Sequence, residues 1–223
     1  QGPIATLVPN VFEEVPGIVN PANRSWPREV EGLNGRITIP AKPLRIVTAS
    51  LGHDEVTLAL VPRSRLVGVG AATKDATYSN VSSLVEGVPV ITRDPESIIA
   101  QRPDVVVTSS FFYLEGVTAL TRAGIPVVQT ELKHDPRARI HNILLMGYIY
   151  GEEERALAFA QEIQSRFESV TEFTLSGQRE VRPRCLVLTR YSGKLWTAGE
   201  NSTEGSFITA AGGLNAAAEA GIN

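Results

Sequence analysis

Short apolar runs and longer periodic stretches follow one another along most of the chain, and this pattern predicts a parallel sheet between helices. Residues 103–108 contain three consecutive valines, which is typical of a parallel strand buried on both faces. Pro95 suits the first position of a helix, and Gly124 ends another. Repeated strand, helix and strand with short connections indicate an α/β fold. The predicted strands are residues 45–50, 66–69, 88–91, 103–108 and 125–128, and the predicted helices are residues 54–60, 95–101 and 117–123.

Two long helices then interrupt the alternation, at residues 137–150 and from Glu152 to about Leu175. The second has apolar side chains at helical spacing, and at about 1.5 Å per residue it is long enough to reach a second unit. That unit would contain a strand at 184–189, a hairpin or loop through Trp196 and a helix at 207–211, too little to bury a core alone. We therefore expect two Rossmann-like lobes with parallel sheets joined by a long helix, the second lobe being incomplete in this chain.

The N-terminal stretch has a different character, because seven prolines occur within residues 1–43. Proline lacks a backbone donor and fixes φ, so this stretch is predicted to be mostly extended, with a turn favoured at Asn34-Gly35. The expected segments are an extended N-terminal leader (1–43), an N-terminal α/β lobe (44–135), helices that include the interlobe helix (136–176) and the start of a C-terminal α/β lobe (177–223).

Composition and charge exclude several classes of protein. The chain has 43% hydrophobic and 20% charged residues and a net charge of −3, whereas a nucleic-acid-binding protein needs a basic face. It has no run of about 18 apolar residues that would span a bilayer. One cysteine excludes an internal disulfide framework, and Cys185, within an apolar run, is predicted to be a buried strand residue rather than a nucleophile.

Candidate binding residues follow the predicted strands, since ligands of open parallel sheets bind beyond the carboxyl ends of the strands. Flat aromatic faces with polar tips suit a catecholate, a porphyrin or a corrin, and the guanidinium groups of Arg93 and Arg190 suit an anionic ligand. The alternative is that the aromatic side chains close over the strand ends and the cations are solvated. The predicted ligand-binding residues are Lys74, Tyr78, Arg93, Ser110, Phe111, Phe112, Tyr113, Arg190, Tyr191 and Trp196.

Four segments in a characteristic order carry a resemblance to a known family. Residues 39–47, 96–107, 123–128 and 211–215 resemble segments of the class III periplasmic substrate-binding proteins of ABC transporters, which serve siderophores, haem and cobalamin. The resemblance covers roughly residues 27–223. It implies two lobes on one long helix with the ligand in the cleft between them, and it implies a binding protein without enzymatic activity or a resident cofactor.

The resemblance also implies partners and a location. The protein would capture an iron-siderophore or a related chelate (haem or cobalamin) and deliver it to an ABC permease. It would be periplasmic or extracellular, with a lipid anchor or the permease as its link to the membrane. Glu96 matches the position of an acidic residue that docks on arginines of the permease. A simpler interpretation is that the Glu96 carboxylate stabilises the N-terminus of its helix through the helix dipole.

Two alternatives remain open at this point. The three histidines suggest a bare metal ion: His53 and His134 follow predicted strands of one sheet and could share a site, whereas His141 falls in a predicted helix. Haem iron could be bound by His53, His134 or a tyrosine. A nucleotide-cofactor-binding α/β enzyme would need a glycine-rich loop after its first strand. Gly68-Val69-Gly70 follows the second strand, and Thr73 stands where a third glycine would be.

Overall fold

The computed structural model describes residues 8–131, 136–176, 182–191 and 193–222, without the side chains of residues 8–10, 136, 175 and 191. Two units are separable. The first comprises the described residues within Gln1–Leu132 and His141–Phe159, and the second those within Lys133–Ile140 and Ala160–Asn223. None of the helices in these residues combines the length and the apolarity needed to cross a bilayer.

Up to residue 131, the first unit alternates short strands with short helices. In chain order its elements are α1 (Val8–Glu13), β1 (Arg28–Gly32), β2 (Gly35–Ile39), β3 (Ile46–Thr48), α2 (Leu51–Leu60), β4 (Leu66–Gly68), α3 (Ala71–Lys74), α4 (Pro95–Ile99), β5 (Val105–Thr108), α5 (Leu114–Arg122) and β6 (Val127–Gln129).

Two long helices follow, and the second unit is built from short elements. The long helices are α6 (Pro136–Tyr150) and α7 (Glu153–Ser176), and each contributes residues to both units. Parallel pairing joins the first and last strands of the second unit, and antiparallel pairing joins the middle two. In chain order its elements are β7 (Arg184–Cys185), β8 (Leu188–Tyr191), β9 (Lys194–Thr197), α8 (Thr203–Ala210), β10 (Leu214–Asn215) and α9 (Ala216–Glu219).

The core of the first unit is a four-stranded parallel sheet in the order β4-β3-β5-β6. Val105, Val106 and Val107 are fully buried, which confirms the interpretation of the valine run as a strand covered on both faces. Ile98 of α4 and Leu120 of α5 pack with Val106 in one cluster. Helices on a mainly aliphatic parallel sheet confirm the α/β class predicted from the sequence.

The strand predicted at residues 88–91 is not a strand in the structure. A single bridge joins Val69 to Val90, with hydrogen bonds from the Val69 N–H to the Pro89 carbonyl and from the Ile91 N–H to the Val69 carbonyl. Pro89 has no N–H to extend the ladder, which explains why pairing ends after one step.

The N-terminal stretch is more regular than its prolines suggested. From Val8 onward it contains α1 and the antiparallel hairpin β1–β2, and the side chains of Phe12, Val30 and Ile39 are completely buried. The prediction of a mostly extended leader is therefore wrong for these residues. Burial of alternate hairpin residues outweighs the proline content, because the prolines lie outside the two strands.

The hairpin also covers the edge of the main sheet. The loop residues are Leu33 and Asn34, one position earlier than the turn favoured by the sequence. The Asn34 side chain donates to the Val127 carbonyl at 2.9 Å and accepts from the Gln129 N–H at 2.9 Å. The Leu33 N–H donates to the Gln129 carbonyl. Edge groups of β6 thus have partners, which removes an open edge that would otherwise pair with another chain.

Ion pairs fix the start of α7 to the rest of the first unit. Glu152 lies 2.6 Å from the Arg65 guanidinium and 2.9 Å from the Lys42 ammonium group. Although burial raises the pKa of Glu152, hydrogen bonds and charges from Lys42 and Arg65 bring that pKa below its ordinary value. Glu153 lies 2.7 Å from Arg28, a buried arginine. Because acids also favour the positive end of the helix dipole, these contacts define where α7 begins.

The second unit departs from its prediction in one strand. Residues 184–189 were expected to form one strand, but pairing breaks after Cys185 and resumes at Leu188. Cys185 is partly exposed, so the prediction that it is buried is wrong. The physical reason is that β7 is two residues long and pairs with β10 alone among the described strands.

Asn34 provides a test of the hairpin's role. Substituting Asn34→Ala removes both side-chain hydrogen bonds to β6 and should lower the free energy of unfolding by about 1–2 kcal/mol. Urea denaturation measures this change. The exposed Asn80, replaced by alanine, is the control and should change it by less than about 0.5 kcal/mol. Equal effects of the two substitutions would contradict the assignment.

Candidate functional site

The carboxyl ends of the four parallel strands lie together at one end of the main sheet. This end is called the carboxyl edge below, and it differs from the lateral edge at β6 that the hairpin covers. Because parallel strands run in the same direction, the segments after β3, β4, β5 and β6 all emerge at this edge. Two exposed segments lie there: residues 70–78, which follow β4, and residues 109–113, which follow β5 and are called the aromatic loop below. Seven of the predicted ligand-binding residues belong to the first unit, and all but Arg93 lie in these two segments.

The aromatic loop combines an exposed ring with two rings that are partly packed. Phe111 is 91% exposed, and Ser110 beside it is also exposed. Phe112 packs against the cluster that contains Val106. The rings of Phe112 and Tyr113 are tilted by 41° with their centroids 5.2 Å apart, a favourable aromatic geometry. Phe111 is therefore presented to solvent, and its two neighbours anchor the loop.

Hydrogen bonds hold the aromatic loop in place. The Gln129 amide donates to the carbonyls of Ser109 at 3.2 Å and Phe112 at 2.9 Å. The Tyr113 hydroxyl donates to the Arg93 carbonyl, which joins the loop to the segment before α4. Sequence reasoning missed Gln129, because a glutamine at a strand end has no local signal. The hydroxyl of Tyr113 is used within the protein, and contact of its ring with a ligand stays a prediction.

Gly116 allows the packed rings to lie against α5. A Cβ atom at this position would stand 2.8 Å from ring atoms of both Phe112 and Tyr113. Real Cβ atoms do not approach carbon atoms so closely, so a side chain here would displace at least one ring. The glycine in this helix is thus a packing requirement of the aromatic loop.

The segment 70–78 presents Lys74 and Tyr78. Lys74 ends α3 and is exposed, and Tyr78 is 70% exposed. The buried carboxylate of Asp54 accepts hydrogen bonds from the hydroxyls of Thr48 and Thr73 and, at 3.0 Å, from the Gly70 N–H. Burial raises the pKa of Asp54 to about 7, although these hydrogen bonds lower it.

His53 lies in the interior, beside this edge. Its side chain is completely buried, and its Nε2 is 2.7 Å from the Thr130 hydroxyl. Burial lowers the pKa of His53 to about 4, so the imidazole is neutral at pH 7. A buried, neutral imidazole that is hydrogen-bonded to threonine is not available to a ligand at the surface. This placement counts against the hypothesis that His53 binds haem iron.

The other histidines do not change this picture. His141 is half-buried on α6, and His134 lies outside the described residues. Within the described ranges, no three His, Cys, Asp or Glu side chains come together in a group that could hold a metal ion. The bare-metal alternative therefore gains no support from these residues.

The predicted residues of the second unit do not share one face. Arg190 on β8 stands opposite Leu195, whereas Trp196 on β9 stands opposite Thr189. Neighbouring positions of a strand point to opposite faces, so Arg190 and Trp196 project from opposite faces of this ribbon. Both are exposed, Trp196 by 56%. The side chain of Tyr191 lies outside the described residues.

Arg93 and Glu96 flank the N-terminus of α4. Both are exposed, and Asp94 between them caps the helix by accepting from the Glu96 N–H at 3.1 Å. The cap is provided by Asp94, so the Glu96 carboxylate is left at the surface. Arg93 has a structural use for its carbonyl, which accepts from Tyr113, while its guanidinium lies at the surface.

The molecule is an α/β protein, in which a parallel sheet with loops after the carboxyl ends of its strands is followed by a long helix that contributes residues to both units. The family model described as "Periplasmic binding protein" matches residues 46–222, and the chain belongs to this family. The resemblance found in the sequence is thereby confirmed. The family comprises substrate-binding proteins rather than enzymes.

Comparison with individual proteins agrees with this membership. A cobalamin-binding protein of Halobacterium salinarum is 26% identical over 191 residues, which are 86% of this chain and 51% of that protein. An uncharacterized ABC transporter substrate-binding lipoprotein of Bacillus subtilis, YvrC, is 23% identical over 83% of this chain and 59% of its own length. The chain thus spans about half the length of the curated relatives it matches.

A solved structure shows the same fold. The periplasmic heme-binding protein of Pseudomonas aeruginosa superposes with a TM-score of 0.67 at 24% identity. The match covers 78% of this chain and 62% of that protein. The mixed α/β fold with a parallel sheet and a long helix, as expected from the sequence, is confirmed at the level of architecture.

His53 provides a pH test of the interior. Since its pKa falls from 6.5 to about 4 on folding, the folded state binds fewer protons than the unfolded state between these values. The contribution of His53 to the unfolding free energy is therefore fully present above pH 6.5, where the ring is neutral in both states. It is lost as the pH falls toward 4, because protonation then favours the unfolded state. Relative to a His53→Gln variant, wild-type protein should lose about 3 kcal/mol of unfolding free energy across that range. Urea denaturation at each pH measures this difference, and a pH-independent difference would refute the assignment.

Gly116 provides a test of ring packing in the aromatic loop. Glycine to alanine in a helix normally stabilises by about 1 kcal/mol. Here Gly116→Ala should instead lower the melting temperature, because the new methyl group meets the rings of Phe112 and Tyr113. Near-ultraviolet circular dichroism should change as the rings move. Thr118→Ala, in the same helix, is the control and should leave that spectrum unaltered. A more stable Gly116→Ala protein with an unchanged spectrum would show that the rings need no such space.

Proposed function

We propose that this chain is part of an extracytoplasmic solute-binding protein that captures an iron-siderophore or a related chelate, haem or cobalamin, and delivers it unchanged to an ABC permease. Family membership supports the binding role. The similar Halobacterium protein is a cobalamin-binding protein, the similar Pseudomonas structure is that of a heme-binding protein, and the Bacillus relative is an ABC transporter substrate-binding lipoprotein. A lipid anchor and a periplasmic or extracellular location are part of the proposal.

The observation that carries the proposal is the exposure of Phe111 on a fixed loop. A phenylalanine that is 91% exposed forgoes about 1.5–3 kcal/mol of burial free energy. Flexible loops can fold such a side chain inward, but the bonds from Gln129 and Tyr113 hold the backbone of this loop. Little conformational entropy is then lost when a flat apolar ligand covers the ring. The ligand expected from this geometry is large and partly apolar, as a macrocyclic or catecholate chelate is.

Charge at the same edge complements such a ligand. Lys74 and Arg93 are exposed cations in the first unit. Carboxylate, phosphate and catecholate oxygens are anionic partners for ammonium and guanidinium groups. Arg190 and Trp196 remain proposed contacts from the second unit. Because they project from opposite faces of their ribbon, we expect one of them, rather than both, to contact any single ligand.

The candidate ligands differ in whether their metal needs a coordinating side chain from the protein. A ferric siderophore or cobalamin already has its metal enclosed by its own donor atoms, so it needs no ligand from the protein. Haem iron takes an axial side chain, and His53 is buried. In the first unit Tyr78 is an exposed phenol that could serve. Among the described residues, a haem-binding version of the proposal therefore assigns the iron to Tyr78.

Glu96 is the proposed docking residue for the permease. Its carboxylate is exposed at the first turn of α4, and the helix cap is supplied by Asp94 rather than by Glu96. A surface acid that is not needed for capping is free to pair with arginines of a partner. Exposed charges of this kind act mainly on association rate and specificity.

Ligand titration tests the proposal. Calorimetry with ferric hydroxamate, ferric catecholate, haemin and cyanocobalamin should give saturable binding for at least one of them. Phe111→Ala should weaken that binding by about tenfold or more, because the apolar contact is lost. The exposed Leu84, replaced by alanine, is the control and should retain affinity. Absence of binding by all four compounds, or equal affinity of Phe111→Ala and wild type, would refute the proposal.

A further inference from the structure

We infer that Asp54 is a positioning residue, which holds the segment 70–78 so that Lys74 and Tyr78 face the ligand. This inference rests on the function proposed above and identifies an interior residue on which that function would depend. Asp54 lies in α2 and is completely buried, so it does not itself contact a ligand at the surface.

One carboxylate joins three parts of the sheet edge. Oδ1 of Asp54 accepts from the Thr48 hydroxyl at the end of β3. Oδ2 accepts from the Thr73 hydroxyl of α3 and from the Gly70 N–H, the latter at 3.0 Å. Oδ1 therefore holds α2 to the sheet, and Oδ2 holds the segment after β4 to α2.

The segment 70–78 has few other means of staying in place. Between residues 71 and 78, Thr73 is the one buried residue, and Lys74, Asp75 and Tyr78 are all exposed. The helix α3 comprises four residues, too few to be stable by its own hydrogen bonds. Its remaining bonds are local, such as that from the Asp75 N–H to the Ala72 carbonyl at 3.2 Å. The hydrogen bonds from Thr73 and Gly70 to Asp54 are therefore the non-local bonds that set the position of Lys74 and Tyr78, and that of Thr73 is the one made by a side chain of the segment.

The electrostatic surroundings make this anchor sensitive near neutral pH. Burial raises the pKa of Asp54 to about 7, against the lowering effect of its three donors. The ionisable groups that interact with it are Glu55 on its own helix and Tyr150 of α6, while β3 and α3 direct hydroxyl groups toward it. An ionised carboxylate accepts from all three donors, whereas protonation turns one oxygen into a donor. The segment should therefore be held more loosely below pH 7.

A matched pair of threonine variants separates positioning from stability. Thr73→Val and Thr48→Val each replace a fully buried threonine that donates to Asp54, so both should lower the unfolding free energy to a similar degree. Only Thr73 belongs to the segment 70–78. For whichever probe binds wild type, haemin or cyanocobalamin, Thr73→Val should reduce affinity by about tenfold and Thr48→Val by less than about threefold.

Hydrogen exchange of the ligand-free chain gives an independent readout. Amides of residues 71–78 should exchange faster in Thr73→Val and in Asp54→Asn than in wild type, and near the wild-type rate in Thr48→Val. In wild type, exchange in this segment beyond the intrinsic pH dependence should increase as the pH falls from 8 to 6, and Asp54→Asn should lack this response.

The outcomes distinguish the two proposals. If wild type binds neither probe, the proposed function fails, and hydrogen exchange alone decides whether Asp54 holds the segment. If wild type binds a probe but the two threonine variants have equal affinity and equal exchange, the inference about Asp54 is wrong while the proposed function stands. Faster exchange and weaker binding in Thr73→Val alone support the positioning role.

Discussion

The parallel pairing of β3, β4, β5 and β6 is the constraint on which the rest of the first unit depends. Because these strands are buried on both faces, polar side chains can be exposed to solvent at the ends of the strands but not along them. Backbone and side-chain polar groups beside those ends must then find internal partners, because burying them unpaired is costly. Asp54 accepts from the Gly70 N–H after β4, the Nε2 atom of His53 lies at hydrogen-bond distance from Thr130 after β6, and the Gln129 amide at the end of β6 donates to the loop after β5.

Sequence patterns could predict the framework because they report local burial. Three valines in a row identify β5, and Pro95 identifies the start of α4. The same reasoning failed where tertiary contacts overrule local preference: the hairpin at 28–39 is ordered by packing despite nearby prolines, and Cys185 is partly exposed in a strand of two residues. Residues 88–91 resembled a strand, but Pro89 limits the pairing to one bridge.

The candidate site shows a similar division. Exposed residues such as Phe111, Lys74 and Tyr78 could be located, since topology alone places strand-end loops at one edge. The residues that hold these loops in place could not be predicted from the sequence. The partner of Gln129 lies about 20 residues earlier in the chain, and Asn34 bonds to β6 across more than 90 residues. No local pattern indicates such pairs, and the hydrogen bond from the Tyr113 hydroxyl to the Arg93 carbonyl had no local signal either.

We propose that a chelate binds beyond the carboxyl ends of the main sheet's strands, against residues 70–78 and 109–113. Amide chemical shifts of the isotopically labelled chain, recorded with and without cyanocobalamin and, separately, haemin, show which residues a ligand affects. The largest shifts for a bound compound are expected in those two segments. Shifts confined to the hairpin at residues 28–39 and the start of α7, with both segments unaffected, would place the ligand elsewhere and overturn this proposal.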